Sequence, residues 1–200
     1  GFELLRGAPS ALAPEDFYDA QQVVLRYYPE VAEVVRRRLG AALVLPYHHS
    51  VRHDARRSAE LALAQDERTA NLVGPARFVH NDHGSNSGYD LLAEKLSEPE
   101  GPDAVQAVMR GRFAVVNAWR ALAPVERDPL ALLDWRSMAP GDGYGPAGEW
   151  HNEWHRWFYF SGLQPDELLL FKQFDTRADE ARCAVHTTFA DPGTPEDAPP

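Results

Sequence analysis

Between Pro14 and Gly40 the apolar positions recur at helical spacing, whereas beyond Phe113 the chain breaks into short apolar runs punctuated by Pro, Gly, Asp and Ser. Pro14-Glu-Asp16 opens a helix, because proline suits a first helical position and acids suit the first turn; it runs through Gln21-Gln-Val-Val-Leu25 towards Tyr28. Pro29 can restart a second helix, carried by Val31-Ala-Glu-Val-Val35 to Arg38 and stopped by Gly40. Ala41-Ala-Leu-Val-Leu-Pro46 has the length and composition of a strand. Gly84-Ser-Asn-Ser-Gly88 reads as a loop, and Tyr89 to Leu96 and Asp103 to Met109 as inserted helical turns. The runs Phe113–Trp119, Ala131–Trp135, Trp157–Phe160, Glu167–Phe174 and Ala184–Phe189 are rich in β-branched and aromatic residues and predict strands. The expected fold is mainly β with flanking helices, a sandwich or barrel with helices packed outside. The expected layout is one domain over 1–200, with a helical part over about 1–40, a β core over about 41–190 and a Pro-rich acidic end over 191–200.

Composition narrows the function. With 200 residues, 44% hydrophobic and 25% charged, the chain is that of an ordinary globular protein, and no apolar run approaches the length of a membrane span. A net charge of −10 repels phosphate backbones, so the expected partner is a small molecule, neutral or cationic, such as an aminosugar, and neither nucleic acid nor membrane. The lone cysteine, Cys183, excludes an internal disulfide framework and fits a reducing cytoplasm, which is the expected location. Arg36-Arg-Arg38 reads as a solvated helix end that complements the helix dipole.

His80 and Asp82 carry the sharpest chemical signal. Residues i and i+2 of a strand share a face, so this imidazole and this carboxylate can hold one ion together. His186, on a distant strand run, supplies a third ligand, and the trio has the donor set of a mononuclear non-haem Fe(II) site with open coordination positions. The pattern is not unique. Thirty acidic residues and eight histidines make about one His-x-(Asp/Glu) match expected by chance, and His151-Asn-Glu153 is a second. A polar strand end, with both side chains bonded to nearby backbone, is the plainer reading of the same pair. His151-Asn-Glu-Trp-His155 has histidines at helical spacing, but its glutamate is misplaced for a hydrolytic zinc helix.

Taken in order, Phe17-Tyr-Asp-Ala20, Tyr28-Pro-Glu-Val31, His49-Ser-Val-Arg52, Phe78-Val-His-Asn-Asp82, Asn117-Ala-Trp-Arg120, Pro129-Leu-Ala-Leu132, His155-Arg-Trp-Phe-Tyr159, Pro165 to Asp175 and His186-Thr-Thr-Phe189 with Asp191-Pro192 resemble one family. It is the iron and 2-oxoglutarate oxygenases of secondary metabolism, which include the cephamycin methoxylation protein, gibberellin-desaturase-like proteins and fungal meroterpenoid oxygenases. The resemblance implies a double-stranded β-helix with Fe(II) held by His80, Asp82 and His186, and 2-oxoglutarate and O2 as cosubstrates. It favours the His80 pair over His151, because the family places its ligand pair before Asn117-Ala-Trp-Arg120. It implies hydroxylation, ring closure or desaturation of a small natural-product intermediate.

In families of this fold an arginine in an Arg-x-Ser arrangement beyond the distal histidine commonly holds the far carboxylate of 2-oxoglutarate, and residues 187–200 contain none. Arg120 and Lys172 are the substitute candidates, since arginine offers a planar fork for a carboxylate and a buried strand lysine needs an anion. Tyr159 adds a hydroxyl donor. His83, His49 and Trp157 are candidates for bordering a substrate. Two rival readings follow: an iron enzyme of the same fold that does not consume 2-oxoglutarate, and a non-catalytic accessory protein of a biosynthetic pathway.

Overall fold

A computed structural model of the chain describes residues 1–52, 72–84, 86–139, 152–177 and 179–198. Strand β1 (Phe2–Leu5) is followed by a 3-10 turn at Pro14–Tyr18, α1 (Ala20–Gln22), a π-type turn at Val23–Tyr27 and α2 (Tyr28–Leu39). Then come β2 (Val51–Arg52), β3 (Leu72–Val73), α3 (Ser87–Glu100), α4 (Pro102–Met109), β4 (Ala114–Arg120) and β5 (Leu130–Leu133). A 3-10 turn at Trp135–Ser137, β6 (Trp157–Tyr159), β7 (Leu168–Asp175) and β8 (His186–Thr188) complete the order.

Two antiparallel three-stranded sheets form the core, with strand orders β1-β7-β4 and β6-β5-β8, and β2 pairs with β3 in parallel. The central strand β7 reads as a near-continuous apolar run because both its faces are covered. Leu168 and Leu170 point towards the helical side, where Phe17, Tyr27, Val31 and Val35 pack on them. Leu169 and Phe171 point the other way and meet Leu132 of the second sheet and Ala184 of the segment leading into β8. Leu132, Leu168 and Leu169 are at most 1% exposed, and each fully buried leucine contributes roughly 2 kcal/mol. Across the second sheet Phe158, Leu132 and His186 lie in one row, and across the first Phe2, Phe171 and Asn117 lie in another. The ring contacts Phe2–Phe158 at 6.2 Å and Phe171–His186 at 4.9 Å hold the two rows face to face.

The predicted strands over 113–119, 131–135, 157–160, 167–174 and 184–189 correspond to β4 to β8, each within a few residues at its ends. Two other features differ from expectation. Strand β1, within the supposed helical part, pairs with β7 from Phe2↔Phe171 to Leu5↔Leu168, and Ala41 to Pro46 forms no strand. There Val44 packs on the helical cluster, but Leu43 and Leu45 are exposed and Pro46 has no N–H to give a ladder. The helices also join differently. Asp19 accepts from Gln21 and Gln22 N–H at 2.8 and 3.2 Å and so restarts the chain after the 3-10 turn. Pro29 cannot donate to the carbonyl four residues before it, and the helix widens into the π-type turn before α2 instead of breaking. Gly40, at φ 63°, ends α2 in the left-handed conformation expected of it.

Helix α3 docks on β7 through Tyr89, whose ring meets Phe113 and Phe174 edge-on at 5.1 and 5.4 Å. Gly88 is required there, because a Cβ at that position would collide with the Phe174 ring. Strand β7 is irregular at one place. Val115 pairs with Phe174 and Val116 with Lys172, so Gln173 opposes no residue and forms a bulge.

Candidate metal centre

His80 and His186 exchange both main-chain hydrogen bonds, at 3.0 and 2.9 Å, as an isolated antiparallel bridge. Residues so paired carry their side chains on one face, and the two imidazoles lie with centroids 4.2 Å apart. Each ring is oriented by the main chain two residues before it. His80 Nδ1 donates to the Phe78 carbonyl at 2.8 Å and His186 Nδ1 to the Ala184 carbonyl at 3.1 Å. That leaves both Nε2 atoms as lone-pair donors, the tautomer that metal-binding histidines adopt when the other nitrogen is bonded. Asp82 Oδ1 lies 3.5 Å from His80 Nε2 and 3.9 Å from His186 Nε2. One ligand atom from each of the three falls within 4.8 Å of the others, the only such group among the described residues.

Neighbouring groups hold this geometry. The exposed ring of Phe78 covers His80 at 4.6 Å, and Phe171 abuts His186. Arg77 grips Asp128 through two hydrogen bonds, at 3.0 and 2.9 Å, tying the segment that carries His80 to the loop before β5. Asp128 adopts φ 51°, an uncommon conformation for a residue with a Cβ. Asp82 is fixed twice: Asn117 Nδ2 donates to its Oδ2 at 2.9 Å, and its own N–H donates to Gln173 Oε1 at 3.0 Å. Burial, then the positive charge of His80 when protonated, push His186 down to about 4, against an opposing pull from Asp82; Arg52 adds a smaller lowering. His186 is therefore neutral, and able to bind a metal, throughout the physiological range.

The remaining predicted residues are placed as follows. His83 is half-buried beside Asp82, its ring between Tyr47 Oη and Ser87 Oγ, each at 3.4 Å. Burial, then the charge of Asp82, raise the Tyr47 phenol, so Tyr47 belongs to the same neighbourhood. His49 bonds Tyr28 Oη through Nδ1 at 2.8 Å. Trp157 packs on Leu133, Cys183 and Val185, on the outer side of the second sheet. Tyr159 is exposed and meets Phe189 edge-on at 5.1 Å. Arg120 donates to the Pro165 carbonyl at 2.8 Å and lies over the Tyr27 ring. Lys172 is held by Asp175 at 2.6 Å and Glu180 at 2.9 Å. Arg120 pairs with Leu168 and Lys172 with Val116, on the helix-facing side of the sheet, opposite to Asn117. The structure thus does not bring these two cations to the His80–Asp82–His186 group; Lys172 is matched by two carboxylates, and the Arg120 guanidinium is engaged by a carbonyl and an aromatic ring. The competing His151-x-Glu153 pair lies partly outside the described residues. Cys183 is buried, which pushes its thiol up to about 11 and makes it a packing group.

Asn117 and Gln173 went unassigned in the sequence. Their only signal there is polarity within otherwise apolar strand runs, Val-Val-Asn-Ala-Trp and Leu-Phe-Lys-Gln-Phe.

The family described as oxidoreductase/YMDC permease-like domain matches residues 1–200. No helix among the described residues is long and apolar enough to cross a membrane. The chain is 30% identical over 214 residues to the alpha-ketoglutarate-dependent dioxygenase phiK of a fungal species, with 100% of this chain and 73% of that protein covered. The chain belongs to the iron- and 2-oxoglutarate-dependent dioxygenases. A second such dioxygenase, tstK of Talaromyces stipitatus, is 29% identical over 199 residues, covering 92% of this chain and 69% of its own length. Among solved structures, the iron and alpha-ketoglutarate-dependent endoperoxidase NvfI superposes with a TM-score of 0.79 at 25% identity, over 100% of this chain and 74% of NvfI. The resemblance read from nine sequence stretches therefore holds at the level of the family.

Proposed function

We propose that this dioxygenase oxidises a small natural-product intermediate at an Fe(II) ion held by His80 Nε2, Asp82 Oδ1 and His186 Nε2, with 2-oxoglutarate and O2 as cosubstrates. The observation that carries the reading is the convergence of these three atoms, with both Nδ1 atoms bonded to backbone and the second aspartate oxygen bonded to Asn117. Two imidazoles and one carboxylate on one face are the donor set that binds Fe(II) and leaves half of an octahedral shell open. Bound there with its cosubstrates, the iron supplies the oxidising chemistry, and the protein contributes placement.

The facing sheets, with the ligands where β8 meets the segment before α3, are read as the double-stranded β-helix that such oxygenases use. Asp82 contributes the one negative charge of the ligand set. His83 and Tyr47 form a polar rim next to it, and we assign them to contact a polar group of the substrate. His49 and Trp157 are left to packing by their present partners. The negative surface suits a cationic or neutral scaffold.

The test is to load the chain with Fe(II) anaerobically, add 2-oxoglutarate and oxygen, and measure succinate. Wild type is expected to form succinate, and His80→Ala, Asp82→Ala and His186→Ala none above background. Iron binding without succinate would favour the iron enzyme that does not consume 2-oxoglutarate. Unchanged iron binding in all three variants would overturn the site.

A further inference from the structure

A carboxylate can grip a metal with one oxygen or with both, and the choice decides how many positions remain for other molecules. At Asp82 the two oxygens differ. Oδ1 faces the two imidazole Nε2 atoms at 3.5 and 3.9 Å, whereas Oδ2 accepts from Asn117 Nδ2 at 2.9 Å. Asn117 lies on β4 in the row that faces the second sheet, and its amide holds the Asp82 oxygen other than the one nearest the two imidazoles.

The main chain of Asp82 is fixed by a separate device. Gln173 stands at the bulge of β7, opposes no residue of β4, and accepts the Asp82 N–H at 3.0 Å. Gln173 is 1% exposed. Burying an amide in an apolar strand is costly unless it is bonded, and its Nε2 has no hydrogen-bond partner among the described residues. Packing alone would favour an apolar residue at this place. What the amide does is hold Asp82.

We propose that Asn117 and Gln173 are positioning residues that confine Asp82 to one-oxygen ligation, Asn117 by occupying Oδ2 and Gln173 by fixing the backbone, and so keep coordination positions open for exogenous ligands. The inference rests on the metal site proposed above. Neither residue touches the ion; each acts through Asp82.

Co(II) is a suitable probe, because its visible ligand-field bands report coordination number and geometry. The full chain, stripped of metal, is titrated with Co(II) as wild type, Asn117→Ala, Gln173→Met and Gln173→Glu, and urea unfolding of each metal-free protein monitors folding. Loss of such outer contacts weakens metal affinity roughly tenfold to a hundredfold, and that loss is expected for Asn117→Ala and Gln173→Met. Asn117→Ala is also expected to change the band shape, since Asp82 is then free to chelate with both oxygens. Gln173→Glu keeps an acceptor for the Asp82 N–H and is expected to recover most of the affinity lost in Gln173→Met. Should Gln173→Met fail to fold, Asn117→Ala decides, because that side chain is only partly buried.

Folded variants that bind Co(II) as tightly as wild type, with the same bands, overturn the proposal. So does weakened binding with unchanged bands in Asn117→Ala, which would make Asn117 a structural residue. Failure of wild type itself to bind Co(II) would instead overturn the metal site on which the proposal rests.

Discussion

His186 couples folding to acidity. Its folded-state pKa, about 4, lies below the ordinary 6.5, so between these values the unfolded chain binds the extra proton. Stability is therefore full above about pH 6.5 and falls as pH drops towards 4. Thermal melts of the metal-free protein should show this decline, and His186→Leu should flatten it; an equal slope in both would refute the assignment. Asp82→Asn keeps the shape of the side chain but removes the one negative charge of the proposed ligand set. It is expected to weaken Fe(II) or Co(II) binding by at least tenfold, roughly, as measured by titration. The sequence brings His80 and Asp82 together by their closeness, but not through the strand it suggested: His80 forms an isolated bridge and Asp82 lies in a bend. Asn117 and Gln173 could not be read there, since a polar residue inside a strand has no spacing that names its partner. Lys172 misled for an instructive reason: a buried strand cation does need an anion, but Asp175 and Glu180, a few residues along the same chain, supply it.

Among the elements, β7 is the most constrained, covered on one side by helices and on the other by the second sheet. Lys172→Met would leave fully buried Asp175 with Arg112 as its remaining side-chain cation. A loss on the order of 2 kcal/mol in urea unfolding is expected, with 2-oxoglutarate affinity changed less than about twofold because the site lies on the other face. Gly88→Ala should cost roughly 1–3 kcal/mol by forcing its new methyl against Phe174. The same measurement checks it, and Phe174→Leu in the same chain should relieve part of the loss. The strands from β4 to β8 were legible because their apolar runs are short and well punctuated. Strand β1 was not: Phe2 to Leu5 is too brief to announce itself, and its pairing with β7 depends on a segment far along the chain. Ala41 to Pro46 had the right composition, but a strand also needs a neighbour with free ladder groups.

At the scale of the molecule, a bound ion would tie the segment before α3 to β8. A ligand that binds only the folded state at a hundred times its Kd adds about 2.7 kcal/mol, which for a chain of this size corresponds to a rise of roughly 5–10 °C in melting temperature. Co(II) should produce that rise and a chelator should abolish it, while His80→Ala should melt at the same temperature with or without the metal. The overall class was readable from helices preceding strands. Which strands would face each other was not, because that is decided by contacts such as Phe2–Phe158 and Phe171–His186, between residues remote in sequence. The bridge that joins His80 to His186 is of the same remote kind. During synthesis the first imidazole emerges long before the second, and a nascent chain cannot complete the proposed ligand set until β8 has been made and docked. Incomplete chains would thus offer an ion two of the three proposed ligands at most, and the centre would form only as the fold closes.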